Sequence, residues 1–207
     1  VILNYTIILR HGERQKIHNV NETESAKLIM KGLINSILMG LFLRSKYKGI
    51  QKIKTSYIKR CYDTAIFIKK GYAPFKKIEI RRAESNGALE SSGYVKEEHF
   101  WDWVRHQRTN RMSWRNFEDK FNELSKKGWC NFSSLKDYTK EFMRENLTEE
   151  NILIVTHDTT LVPLLIGLDK LHKIDNIPKP LTGVVVHHEK GKIKKIELIE
   201  RGKIHNI

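Results

Sequence analysis

Two short apolar runs in this sequence each stop at a histidine. Residues 5–9 (YTIIL) lead into Arg10-His11-Gly12, and residues 151–156 (NILIVT) lead into His157-Asp158. A short apolar run of this kind reads as a buried strand. In parallel α/β sheets, ligands collect outside the carboxyl ends of the strands. His11 and His157 can therefore face one pocket although most of the chain lies between them. A lone histidine at a strand end is ordinarily structural; a pair with Arg10 and Arg14 bracketing one member points to chemistry. Arg60 adds a third arginine, at the start of a helix that follows another strand. Guanidinium groups match phosphate oxygens bidentately. A single arginine more often pairs with a surface carboxylate. Three beside a histidine, without a glycine-rich cradle, favour a phosphate pocket. The sequence contains no Walker loop, GxGxxG or HExxH motif.

The elements that must position these residues alternate between strand and helix. A polar loop over 13–22 follows the first strand. Asn21 and Glu24 then resemble a helix cap, and the helix runs to about Arg44. Ala26, Met30, Leu33, Ile37 and Leu41 mark its core face, while Gly32 and Gly40 weaken it. Strands at 50–55 and 77–82 bracket a helix at 57–70, which Gly71 and Pro74 end. Residues 84–127 are irregular and contain three of the four tryptophans, with a helix near 114–125. A helix at 133–145 precedes the strand at 151–156. The helix that follows runs to Leu168, with Pro163 in its first turn. Residues 182–189 and 192–199 form a hairpin about Gly191. This order predicts an α/β three-layer sandwich, a mainly parallel central sheet flanked by helices. It reads as a single domain over 1–207 with a lid insertion around 85–130.

Composition narrows the function classes. In 207 residues, 40% are hydrophobic and 30% charged, a soluble globular balance rather than a disordered or membrane one. The two cysteines, Cys61 and Cys130, exclude a disulfide framework and a cysteine-rich zinc site. Lys and Arg number 38 against 24 Asp and Glu, a net charge of +14 that attracts anions in general. The cations are scattered, and a chain this rich in Ile, Lys and Asn owes much of the excess to genomic composition. The start of the sequence carries no signal-like pattern, and no apolar run approaches a membrane span. The expectation is a cytoplasmic protein without a membrane partner; the missing initiator Met leaves a removed signal peptide open. His187 and His188 lie in the hairpin, face opposite ways and read as surface residues. Trp101, Trp103 and Trp114 among Arg105, Arg108, Arg111 and Arg115 read as a packed lid over the pocket rather than a surface for stacked bases.

Arg10-His11-Gly12-Glu13-Arg14 resembles the opening motif of the histidine phosphatase superfamily, which includes the phosphoglycerate mutases and the histidine acid phosphatases. Thr55 to Arg60, with Asp63-Thr64-Ala65, is similar to the segment carrying that family's further phosphate-binding arginine. Glu84 with Gly87-Ala88-Leu89 is similar to the mutase segment holding the proton donor, shortened by one residue. Thr156-His157-Asp158 is similar to the segment of the second histidine. The four motifs occur in order and span residues 5–168. The acid-phosphatase branch usually has a proline two residues after the arginine equivalent to Arg14; here Lys16 stands in its place.

The resemblance implies a phosphoglycerate mutase-like fold and a metal-independent phosphatase, a phosphoric monoester hydrolase with no cofactor, acting on a small phosphorylated substrate. It makes His11 the nucleophile that becomes phosphohistidine. That chemistry needs a neutral imidazole with one nitrogen toward phosphorus and the other N–H held by a carbonyl. Arg10, Arg14, Arg60 and His157 then bind the phosphate and stabilise charge on its oxygens. The general acid lies between Glu84, as in the mutase-like branch, and Asp158, as in the acid-phosphatase branch; Glu84 is taken first. The bland role for Asp158 is a helix N-cap, and for Glu84 a solvated loop carboxylate. Two other readings stand beside the hydrolase. One is a phosphoglycerate-type mutase, although the chain is short of the extra segments that exclude water. The other is a catalytically inactive, basic nucleic-acid-binding protein on the same scaffold, which the intact His11 and His157 disfavour.

Overall fold

The computed structural model describes residues 3–18, 22, 24–83, 94–99, 102, 117–170, 178–200 and 202–206. Its strands are β1 (Asn4–Arg10), β2 (Lys52–Thr55), β3 (Glu79–Arg82), β4 (Ile152–Thr156), β5 (Gly183–Glu189), β6 (Lys192–Glu200) and β7 (Lys203–Asn206). They form one sheet in the order β3-β2-β4-β1-β5-β6-β7. The first four in that order are parallel; β5, β6 and β7 continue the sheet antiparallel. The helices among the described residues are α1 (Met30–Lys46), α2 (Lys59–Tyr72), α3 (Phe117–Lys126), α4 (Leu135–Asn146) and α5 (Asp158–Gly167), with a short 3-10 turn at Glu97–His99.

The central strands are continuous apolar runs because both of their faces are covered. Ile7 and Leu9 of β1, with Leu153, Val155 and Val185, face α1 and α2. Ile8, with Ile152, Ile154, Val184 and Val186, faces α3, α4 and α5. Each such side chain contributes about 1.5–3 kcal/mol by leaving water. The result is the three-layer α/β sandwich with a parallel centre. β7 is an added strand that the sequence reading does not contain. No described helix is long and apolar enough to cross a membrane.

Register decides what the sheet presents at its carboxyl edge. Arg10 of β1 lies opposite Thr156 of β4, and Thr55 of β2 lies opposite Val155. The residues that follow these three strand ends are His11, His157 and Ser56.

Several local expectations are corrected. α1 begins at Met30 after Ile29, which makes no side-chain cap; Asn21 lies outside the described residues. The inward face of α1 is Gly32, Ser36, Met39, Gly40 and Leu43, while Met30 and Leu41 are exposed. The cause is close packing, of Gly40 against α2 and of Gly32 and Ser36 against the Gly12–Glu13 loop. A Cβ on Gly40 would lie 2.1 Å from the Ile68 carbonyl oxygen, and one on Gly71 2.1 Å from that of Ile37. The small residues must face inward for the helices to approach this closely, so the larger apolar residues turn outward. Pro163 falls inside α5, beyond its first turn, because the helix starts at Asp158. His187 and His188 do face opposite ways, but His188 is not a surface residue and His187 is half-buried. His188 is fully buried, with Nε2 3.4 Å from Thr6 Oγ1, and His187 Nε2 lies 2.7 Å from Glu197 Oε2. The sheet is covered on both sides here too.

Part of the 85–130 insertion is described. Tyr94 packs edge-on against Phe117 and Tyr138, and Val95 bridges to Cys130. Trp101, Trp103 and Trp114, and the arginines among them, lie outside the described residues.

Candidate active site

The backbone ladder carries β1 one residue past its end. Arg10 N–H donates to Thr182 O and His11 N–H to Thr156 O, each at 2.9 Å. Gly12 N–H then donates to Thr64 Oγ1 at 3.0 Å, and the Thr64 hydroxyl donates to Arg60 O at 2.7 Å. Thr64 thus ties the loop after β1 to the first turn of α2, which sets Arg60 against His11.

The two imidazoles are buried and meet edge to face, with centroids 5.3 Å apart. His11 Nδ1–H donates to Gly12 O at 2.8 Å, so Nε2 carries the lone pair. Arg60 Nε–H donates to that Nε2 at 3.1 Å. A guanidinium only donates, so His157 Nδ1, 3.2 Å from Arg60 Nη2, is also an acceptor. His157 Nε2–H then donates to Ser56 Oγ at 2.9 Å. One arginine, 4% exposed, therefore holds both histidines in defined neutral tautomers.

Electrostatics agree with that assignment. Burial first, then the Arg60 cation, push the His11 pKa well below its usual value, with Arg10 and Arg14 adding to the effect. His157 is lowered likewise, by burial and then by Arg60. Burial also lowers the pKa of Arg60 itself. Positive charge in a dry pocket with neutral imidazoles is a receptor for an anion.

Arg10 Nη2 lies 3.0 Å from Asp158 Oδ2, and Arg10 Nη1 donates to Pro178 O. The Arg10 Nε–H is buried without a hydrogen-bond partner among the described residues. Such an orphan donor is costly to leave unmet and marks where an acceptor belongs. Asp158 is the first residue of α5, and the cap residue is His157. Asp158 is thus not the N-cap residue, but its Oδ1 still accepts from Thr159 N–H at 3.0 Å in the first turn while its Oδ2 pairs with Arg10. Arg14 bridges to Leu28 through its backbone and donates from Nη1 to Gln15 O at 2.7 Å.

The structure thus brings His11, His157, Arg60, Arg10 and Asp158 to one end of the sheet, with Arg14 close enough to act on both imidazoles. Glu84 lies outside the described residues; the chain is described up to Ala83, whose N–H donates to Thr55 O at 2.7 Å. The sequence reading gives no role to Ser56, Thr64 or Cys61. Ser56 was visible as the residue after a strand, and Thr64 as four positions beyond Arg60 on one helix face. Cys61, fully buried with Sγ 3.4 Å from His157 Nε2, gives no signal in sequence. No group of three or more His, Cys, Asp or Glu residues able to hold a metal ion occurs among the described residues.

No protein-family model and no curated protein matches the chain in sequence. Solved structures do match it. The phosphoglycerate mutase of Bacillus anthracis str. Sterne is 15% identical with a TM-score of 0.60, over 97% of this chain and 93% of the mutase. This mutase belongs to the histidine phosphatase superfamily, as do the phosphatases named below. The chain has the histidine phosphatase fold. The mycobacterial glucosyl-3-phosphoglycerate phosphatase shares that fold at 14% identity and a TM-score of 0.57, over 99% of both chains. So does the Entamoeba histolytica phosphoserine phosphatase, solved with 3-phosphoglyceric acid, at 14% identity and a TM-score of 0.55, over 96% of this chain and 98% of the phosphatase. At these identities the likeness establishes the histidine phosphatase fold; the chemistry rests on the side chains.

Proposed function

We propose that this protein is a phosphatase that hydrolyses a small phosphate monoester through a phosphohistidine on His11, without a metal or other cofactor. The observation that carries the reading is the unprotonated Nε2 of His11, facing a buried Arg60 that also holds His157. A phosphate entering this point takes over the Arg60 donors and accepts from Arg10 Nε. His11 Nε2 then forms a bond to phosphorus as the bond to the ester oxygen breaks. The leaving alkoxide takes a proton from a general acid. Water next attacks phosphorus and gives a proton to the conjugate base of that acid, the N–P bond breaks, and inorganic phosphate leaves with His11 and the acid restored. Arg10, Arg14 and Arg60 meet the charge that gathers on the phosphoryl oxygens; His157 joins them by taking a proton on Nδ1 once the phosphate has drawn the Arg60 donor away. Asp158 already engages Arg10, so Glu84 is kept as the proton donor and Asp158 as the group that orients Arg10. The whole chain acts as one domain, and the 85–130 segment covers the pocket and reads the leaving group.

Phosphate release from nitrophenyl phosphate, followed by a panel of sugar phosphates, nucleotides, phosphoamino acids and phosphoglycerates, tests this directly. The wild type should release phosphate and His11→Ala should not. Equal turnover by the two proteins would refute the reading. Interconversion of phosphoglycerates without phosphate release would show a mutase instead.

A further inference from the structure

A second concentration of positive charge lies at the end of the sheet away from His11. β5 runs antiparallel to β1, so the β5–β6 turn sits beyond the amino end of β1. α5 runs from His157 toward the same end, a length of ~15 Å for a helix of its size. There a cleft of about 510 Å³ opens between α4, the last turn of α5 and the β5–β6 turn. That volume is within the ~300–1,000 Å³ typical of small-molecule sites.

Lys136, Lys140 and Arg144 line the cleft from α4, and Lys190 and Lys192 from the turn; no carboxylate among the described residues lines it. The three on α4 stand four residues apart and share one helix face. Arg144 pairs with Glu141 on its own helix. The four lysines form no ion pair among the described residues. The turn is built with left-handed backbone at both Lys190 (φ 47°) and Gly191 (φ 77°). A side-chain-bearing residue there costs about 1–2 kcal/mol, yet the position is a lysine. The floor is apolar: Met143, Leu147, Leu168 and Ile193. Thr139 also lines the cleft; it is 4% exposed and its hydroxyl has no hydrogen-bond partner among the described residues.

We propose that this cleft is a second binding site, separate from the His11 pocket, for a small organic phosphate. Its phosphate oxygens meet Lys140, Lys190 and Lys192, and its apolar or planar body lies on Leu147 and Ile193. Cations gathered round a single concave cleft fit a small anion; a nucleic acid is met by a stripe of charge along a surface. The proposal does not depend on the phosphatase reading.

The test is calorimetric titration with the methylene-bridged, non-hydrolysable analogue of ADP. Four proteins are compared: wild type, Lys140→Gln/Lys190→Gln, Arg60→Met, and Lys46→Gln/Lys48→Gln. The exposed positions of both lysine pairs keep the fold, which unchanged melting temperatures verify. The expected result is a site that survives Arg60→Met, weakens at least ~10-fold in Lys140→Gln/Lys190→Gln, and is unaffected by Lys46→Gln/Lys48→Gln. Turnover of nitrophenyl phosphate by Lys140→Gln/Lys190→Gln should match wild type. Inorganic phosphate should bind the site at least ~10-fold more weakly than the nucleotide. The proposal is overturned by a single site that Arg60→Met abolishes, or by equal weakening in both lysine pairs. It is also overturned by equal affinity for inorganic phosphate, or by a single-stranded RNA that binds through Lys140 and Lys190 where the nucleotide does not.

Discussion

Replacing Arg60 by methionine keeps an unbranched, flexible stem and removes one buried cation. In the folded protein that cation donates to His11 Nε2 at 3.1 Å and to His157 Nδ1 at 3.2 Å, and it is 4% exposed. Removing one donor preorganised for a transition-state oxyanion costs ~10²–10³ in turnover, or ~3–4 kcal/mol. Arg60 directs two such donors, so the loss should reach the upper end of that range. The same change alters the pH profile. Burial and then Arg60 hold the His11 pKa low, and only neutral imidazole attacks phosphorus. Wild-type activity should therefore persist well below pH 6.5. Without the Arg60 charge the His11 pKa rises, and the acidic limb of the profile moves to higher pH. Stability follows the same sign. A histidine whose folded pKa is depressed contributes stability above its unfolded pKa, near 6.5, that is lost as pH falls toward the folded value. The wild-type melting temperature should decline from pH 7 to pH 5, and Arg60→Met should decline less. Nitrophenyl phosphate hydrolysis from pH 4.5 to 8.5, with thermal melts at each end, reads all three effects. Turnover within threefold of wild type, or a uniform loss with an unmoved acidic limb, refutes the reasoning.

Glu84→Gln should slow hydrolysis of alkyl phosphates by ~10²–10⁴ and leave nitrophenyl phosphate much less affected, since that leaving group barely needs a proton; Asp158→Asn should slow both alike by loosening Arg10. A selective loss of alkyl phosphate hydrolysis in Asp158→Asn would move the acid to Asp158. Activity should survive prolonged EDTA treatment within twofold, and loss restored by Mg²⁺ or Zn²⁺ would contradict the arginine-based mechanism. Gly40→Ala gains up to ~1 kcal/mol of helix propensity, but its Cβ would meet the Ile68 carbonyl oxygen at 2.1 Å. Overpacking of ~1–3 kcal/mol should win, and thermal melting should show a fall of a few degrees; a rise would mean that α1 and α2 separate freely.

The site's frame was legible because β1, β2 and β4 are apolar runs that end abruptly in polar residues. Parallel pairing then brings the residues after those ends together, so His11, His157 and Arg60 could be named together from spacing alone. The inward face of α1 was not legible. Periodicity of apolar residues measures transfer from water, whereas α1 packs through Gly40 on α2 and through Gly32 and Ser36 on the Gly12–Glu13 loop, residues with little apolar surface to count. The roles of Ser56 and Thr64 were hidden for a related reason. Each acts through one hydroxyl that reaches a partner distant in sequence, His157 Nε2 for one and Gly12 N–H for the other. A serine or threonine in sequence carries no mark of such a partner. His188 was misplaced because His-His in a hairpin suggests an open face, while β5 is covered on both sides.

The central claim is that His11 Nε2 takes the phosphoryl group. Rapid mixing with excess nitrophenyl phosphate, followed by an alkaline quench and peptide mass spectrometry, tests it most directly. The account predicts an acid-labile, base-stable mass increment of one phosphoryl group on the peptide containing His11, absent from His11→Ala. Turnover with the phosphoryl group on another residue, or undiminished turnover in His11→Ala, would contradict it.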